Sequence, residues 1–132
     1  MKDKSKNAVF FFILMFALVI TACGGGARDT ADTAVEAYLQ ALVAKDADRI
    51  STLSCAAWEE DALLELDSFT AVEVTLNDAD CQEASRDGDT ALVECQGTIV
   101  ASYNGEDLEI GLDERTYQAV REGGEWRMCG YR

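Results

Sequence analysis

The sequence predicts an α+β domain in which helices come first and an antiparallel sheet meander follows. Three observations carry that prediction. The apolar period is helical as far as Leu66 and becomes two after it, three glycine-bearing turn signals divide the second half, and no proline interrupts the 132 residues.

In the first element Val35, Tyr38, Leu39, Leu42 and Val43 repeat at i, i+3, i+4, i+7 and i+8, which is one face of a helix. Asp29, Thr30 and the Thr33-to-Glu36 capping-box spacing each offer a start. Asp46 is placed to cap a short second helix carrying Ile50 and Leu53. A third helix is predicted around 56–66, where Trp58, Ala62, Leu63 and Leu66 share a face. The stretch "FTAVEVTL" then alternates, with Val72, Val74 and Leu76 on one side and Glu73 and Thr75 on the other. Asp87-Gly88, Asn104-Gly105 and Gly123-Gly124 mark three hairpins, so the sheet should hold four to six strands.

Ahead of these elements Lys2, Lys4 and Lys6 precede an uncharged run from Ala8 to Ala22. A spanning helix needs roughly 20 apolar residues, so this run is short for an anchor and has the basic flank and small-residue end of an export signal. Ile20-Thr21-Ala22-Cys23 resembles the bacterial lipobox. That resemblance implies cleavage before Cys23, lipidation of its thiol, and a domain held outside the cytoplasm at the cell membrane or outer membrane. The chain is then divided into a signal peptide (1–22), a lipidated glycine-rich tether (23–28) and one α+β domain (29–132). An ordinary secretory cleavage near Ala22 and an uncleaved membrane helix are the alternatives.

The helical segment "AVEAYLQALVAKDADRISTL", with its acidic break, and the closing hairpin "YQAVREGGEWRMCGY" resemble the nuclear transport factor two-like superfamily. The resemblance implies a cone, with N-terminal helices packed into a strongly curved antiparallel sheet. A cystatin-like fold is the nearest competitor, but it has one long helix where this sequence has three segments.

The net charge is −14, and removing residues 1–22 takes away three Lys and one Asp to leave −16. Such a chain repels phosphate backbones and anionic headgroups, which excludes nucleic acid as a partner and leaves membrane attachment to the lipid. With Cys23 assigned to lipid, Cys55, Cys81, Cys95 and Cys129 remain, an even number in an oxidising compartment. Cys81 and Cys95 lie seven residues on either side of Gly88, so a hairpin centred there would pair them. By elimination Cys55 meets Cys129, one of three possible connectivities. Strand alternation puts Cys129 on the face opposite Trp126 and Met128, so this second bridge needs a bulge or a strongly curved sheet.

The chain has no histidine, which removes the commonest general base and imidazole metal ligands. Glu73, Glu94, Tyr103 and Tyr117 are the residues to examine for a pocket role, although the two glutamates alternate with apolar neighbours and should face solvent, and sheet tyrosines mostly pack. The acidic stretches "NDADC" and "RDGDT" lack the twelve-residue loop of an EF-hand, and neither a metal nor a cofactor is expected. The expected function is that of a non-catalytic binding or accessory module of the bacterial cell envelope, with the ligand unspecified and a sheet face available to a protein partner or a second copy. The superfamily resemblance implies one alternative, a carboxylate- or tyrosine-based isomerase or dehydratase with its site in the cone; a purely structural or interaction protein of the envelope is the other.

Overall fold

The computed structural model describes residues 30–132. The expected signal, the expected tether and Cys23 lie outside the described residues. Three helices come first, α1 (Ala31–Val43), α2 (Ala47–Leu53) and α3 (Glu59–Ser68). Five strands follow, β1 (Glu73–Asp87), β2 (Thr90–Tyr103), β3 (Glu106–Gly111), β4 (Thr116–Glu122) and β5 (Glu125–Tyr131), with a 3-10 turn at Leu112–Glu114. This is the α+β arrangement expected, helices packed on a curved antiparallel sheet. Among the described residues no helix is long and apolar enough to cross a membrane.

Local chemistry explains most boundaries. The Asp46 side chain accepts a hydrogen bond from the Arg49 backbone N–H at 3.1 Å and starts α2. The start of α1 falls a turn before the Thr33-to-Glu36 box, at Thr30. Glu36 is thereby released for a different task, and its Oε1 accepts from the Cys81 backbone N–H at 3.0 Å, tying α1 to β1. The third helix begins at Glu59 rather than near residue 56, because Ala56 to Trp58 form a turn after Cys55.

The sheet has the order β1-β2-β4-β5, and β3 also pairs with β2. Strand β2 therefore gives one edge to β1 along its length, while the other edge is divided between β4 at Thr90–Glu94 and β3 at Thr98–Tyr103. Three irregularities bend it. In β1 the residues between Asn77 and Asp80 outnumber those opposite by one, and Gly97 faces them. Gly97 has φ +109°, and a Cβ there would lie 2.6 Å from the carbonyl oxygens of Asn77 and Asp78, so only glycine permits this approach. A second extra residue, Ala84, lies between Glu83 and Ser85. A third lies in β5, where Tyr117 pairs with Tyr131 but Ala119 pairs with Met128. Bulges of this kind increase twist and bend the strand that carries them.

Two of these bulges govern the cysteines. The first hairpin turns through Gly88 and Asp89, with Asp87 opposite Thr90, so an unbroken ladder would set Cys81 against Gln96. The extra residue at Ala84 shifts the register by one and sets Cys81 against Cys95, with Cα atoms 4.0 Å apart and the sulfurs bonded. The bulge in β5 falls at Cys129 and Gly130, and it turns Cys129 away from strict alternation toward Cys55, to which it is bonded. Beside this bridge the Cys55 N–H donates to the Met128 carbonyl at 2.8 Å, joining the end of the helical layer to the last strand.

The core lies between α1 and the concave face of the sheet. Val35, Tyr38, Leu39 and Leu42 of α1 and Ile50 of α2 are buried against Val93, Tyr117, Ala119, Trp126 and Met128. Removing the Cys55–Cys129 bridge by a double change to Ala opens a loop of sequence separation 74, against 14 for Cys81–Cys95. In the chain-entropy picture the losses are about 4.5 and about 3 kcal/mol. Urea unfolding of the two double variants should rank them in that order.

Candidate functional site

The concave sheet face is wider than the helices fill, and a cavity of about 420 Å³ remains between α3 and the strands. Most of its wall is apolar: Phe69 from the end of α3, Ile99 and Ala101 from β2, Leu108 and Ile110 from β3, and Leu112 from the 3-10 turn. Its volume lies in the range of about 300–1,000 Å³ that holds small-molecule ligands. One corner is polar, and it is built around Glu65.

Glu65 sits on α3 seven residues after Trp58 and three after Ala62, so it belongs to the apolar stripe rather than to the solvent face. Its Oε2 accepts the Tyr38 O–H at 2.6 Å, and its Oε1 accepts the Tyr131 O–H at 2.6 Å. The Arg115 guanidinium stands 3.6 Å from the same Oε1. Trp58 Nε1–H donates in turn to the Tyr38 hydroxyl at 3.4 Å. Three elements thus converge on one carboxylate: α1 brings Tyr38, β5 brings Tyr131, and the loop into β4 brings Arg115.

Aromatic rings hold this geometry. Tyr131 meets Trp58 edge to face at 5.5 Å between centroids and Tyr117 at 5.3 Å, while the Arg115 guanidinium lies 4.8 Å from the Tyr131 ring centroid. Gly130 has φ +108°, and a Cβ there would come within 3.3 Å of the Trp58 ring. The β5 bulge therefore serves both the Cys55–Cys129 bridge and the seating of Trp58.

Burial raises the pKa of Tyr38 and Tyr131, and the negative charge of Glu65 adds to the shift in each. Burial also pushes Tyr117 up from 10.0 to about 12, and its hydroxyl donates to the Leu112 carbonyl at 3.3 Å. All three phenols therefore keep their protons at neutral pH and act as donors. The Glu65 carboxylate thus has both oxygens accepting O–H bonds and a cation beside it.

Of the four residues singled out in the sequence, Tyr117 lines the cavity. Glu73 is exposed in a recess on the outer surface beside Lys45, and Glu94 is exposed in a shallow one with Asp80, Gln82 and Gln96. Tyr103 lies on the outer lip of the sheet, 62% exposed. Glu65, Tyr38, Tyr131 and Arg115 were not singled out. For Glu65 a signal was present, an acidic side chain on the apolar stripe of its helix; for the tyrosines and Arg115 the convergence is visible only in three dimensions.

No family model matches the chain, and no curated protein matches it. Among solved structures it is similar to a SEC-C motif containing protein from Rhodopseudomonas palustris, with TM-score 0.52 and 14% identity over 77% of this chain and 78% of that one. It is also similar to a candidate dehydratase of the NTF2-like family from Streptomyces avermitilis, with TM-score 0.48 and 18% identity over 72% of this chain and 85% of that one. At such identities the first likeness is one of fold alone.

The raised tyrosine pKa values set a pH dependence. Because the folded phenols hold protons that unfolded ones release near 10.0, the stability they contribute is fully present below pH 10 and is lost as pH rises toward and beyond 12. Urea midpoints measured from pH 8 to pH 11.5 should be flat and then fall above pH 10. The fall should be shallower in the Tyr38→Phe, Tyr131→Phe double variant.

Proposed function

We propose that this chain is a lipid-anchored, extracytoplasmic domain of the bacterial cell envelope, of the nuclear transport factor two-like kind, that binds a small and mostly apolar molecule in its cone without transforming it. The observation that carries the binding reading is the apolar cavity with a single polar corner at Glu65. Apolar walls supply affinity by excluding water, and the few placed polar groups supply orientation. The lipobox resemblance at Ile20–Cys23 and the two disulfides support the location, since bridges of this kind persist outside the reducing cytoplasm.

Binding is favoured over turnover by the state of the polar groups. Both Glu65 oxygens are engaged by phenolic hydrogens, the tyrosines that engage them hold their protons, and the chain has no histidine to act instead. An isomerase or dehydratase would need a carboxylate or phenolate free to move a proton at the ligand.

Two measurements test this reading. Replacing Cys23 with Ser should release the protein from the membrane fraction or block its processing, and unchanged size together with unchanged membrane retention would refute the anchor. For the cavity, methyl NMR of the full chain titrated with naphthalene should shift Ile99 and Ile110. Ala101→Phe, which fills the cavity, should weaken this response about tenfold or more, on the order of 1.4 kcal/mol.

A further inference from the structure

Resting on that binding reading, we propose that the ligand is a single-chain amphiphile with a carboxylate head, of the long-chain fatty acid type, whose head meets Arg115 and whose tail runs through the cavity and out beneath Leu108 and Tyr103. Three observations carry it, and they concern the two ends of the cavity and what joins them.

At the polar end the donors and acceptors are unequally spent. The Glu65 oxygens each hold a tyrosine hydroxyl at 2.6 Å. The Arg115 guanidinium stands 3.6 Å from Glu65 Oε1, beyond a good hydrogen bond, lies by one face against the Tyr131 ring at 4.8 Å, and its side chain is 45% exposed. Its planar fork of N–H donors is therefore available at the cavity wall, and that fork matches a carboxylate in bidentate fashion. A phosphate-monoester head would carry about −1.5 to −2 charge. Against a chain of net charge −14, a monoanion is the less repelled of the two.

At the other end the cavity does not close. Val72, Ala101 and Leu108 line it and also line a second recess of about 320 Å³ that continues over the lip to Tyr103. Leu108 and Tyr103 are 63% and 62% exposed, two of the three large apolar side chains exposed among the described residues. Neither belongs to the packed core. An apolar tail lying along this lip would remove both from water.

The distance between the ends asks for a chain. Thr116, next to Arg115, pairs with Glu94, and Leu108 pairs with Ala101, seven residues farther along β2. At about 3.3 Å per residue that is roughly 23 Å of strand before curvature shortens it. A compact ligand would occupy one end; an extended aliphatic chain spans from the fork to the lip.

The test is photo-crosslinking of the full chain, reconstituted in phosphatidylcholine vesicles, with octadecanoate bearing a diazirine at its tail. Adducts should map to the β3 segment around Leu108 and be displaced by unlabelled octadecanoate but not by butanoate or octadecyltrimethylammonium. Arg115→Gln and Leu108→Asp, both at exposed positions, should each reduce labelling about tenfold. Tyr103→Asp, at the lip and outside the wall of the main cavity, should also reduce labelling and leave the naphthalene response of Ile99 and Ile110 intact. Displacement by the ammonium amphiphile as good as that by octadecanoate, or labelling indifferent to Arg115→Gln, overturns the proposal. Naphthalene binding without cone labelling overturns it and spares the cavity reading; absence of both overturns both.

Discussion

The curl of the sheet is the constraint on which the rest of this structure depends. Strand β2 carries β1 on one edge and shares the other end to end between β4 at Thr90–Glu94 and β3 at Thr98–Tyr103, with Gly97 and the bulge it faces in the gap between them. The bend is made by residues that the ladder cannot pair, at Asp78-Ala79, at Ala84 and at Cys129-Gly130. The first is possible because Gly97 has no Cβ to strike the opposing carbonyls, and the last because Gly130 lets the Trp58 ring approach. A flat sheet of the same strands would stack on α1 and leave no interior.

From the curl follow both the covalent and the polar organisation. The bulges at Ala84 and at Cys129 bring each cysteine to its partner, so the bridges hold the bends in place as well as the chain. The β5 bulge also carries Tyr131 to the cavity, where it meets a carboxylate from α3 and a ring from β4. A partly buried charge is costly unless its lone pairs are used, and here two phenols and a guanidinium supply the partners. The same corner gives the cavity a direction, polar at Arg115 and apolar toward Leu108.

Much of the fold was legible because it is written in local patterns. The helical stripe of Val35, Tyr38, Leu39 and Leu42, the cap at Asp46 and the turns at Gly88, Asn104-Gly105 and Gly123-Gly124 each depend on residues within a few positions of one another, and each appears where the pattern puts it. The candidate site was less legible. Glu65 stands on an apolar stripe but is one acidic residue in a chain rich in them, while Glu73 and Glu94 face solvent as their alternation with apolar neighbours indicates.

The sequence by itself determined the α+β order, the placing of the turns, an even set of four cysteines after Cys23, and a net charge of −14. These follow from composition and from interactions of short range along the chain. Only the tertiary structure decided which side chains share the interior. Tyr38 and Tyr131 reach Glu65 across 27 and 66 residues of sequence, and no periodicity encodes a meeting at that range. Register decided it, through three extra residues that the alternation of a strand does not reveal, because a bulge is defined by the partner strand as much as by its own.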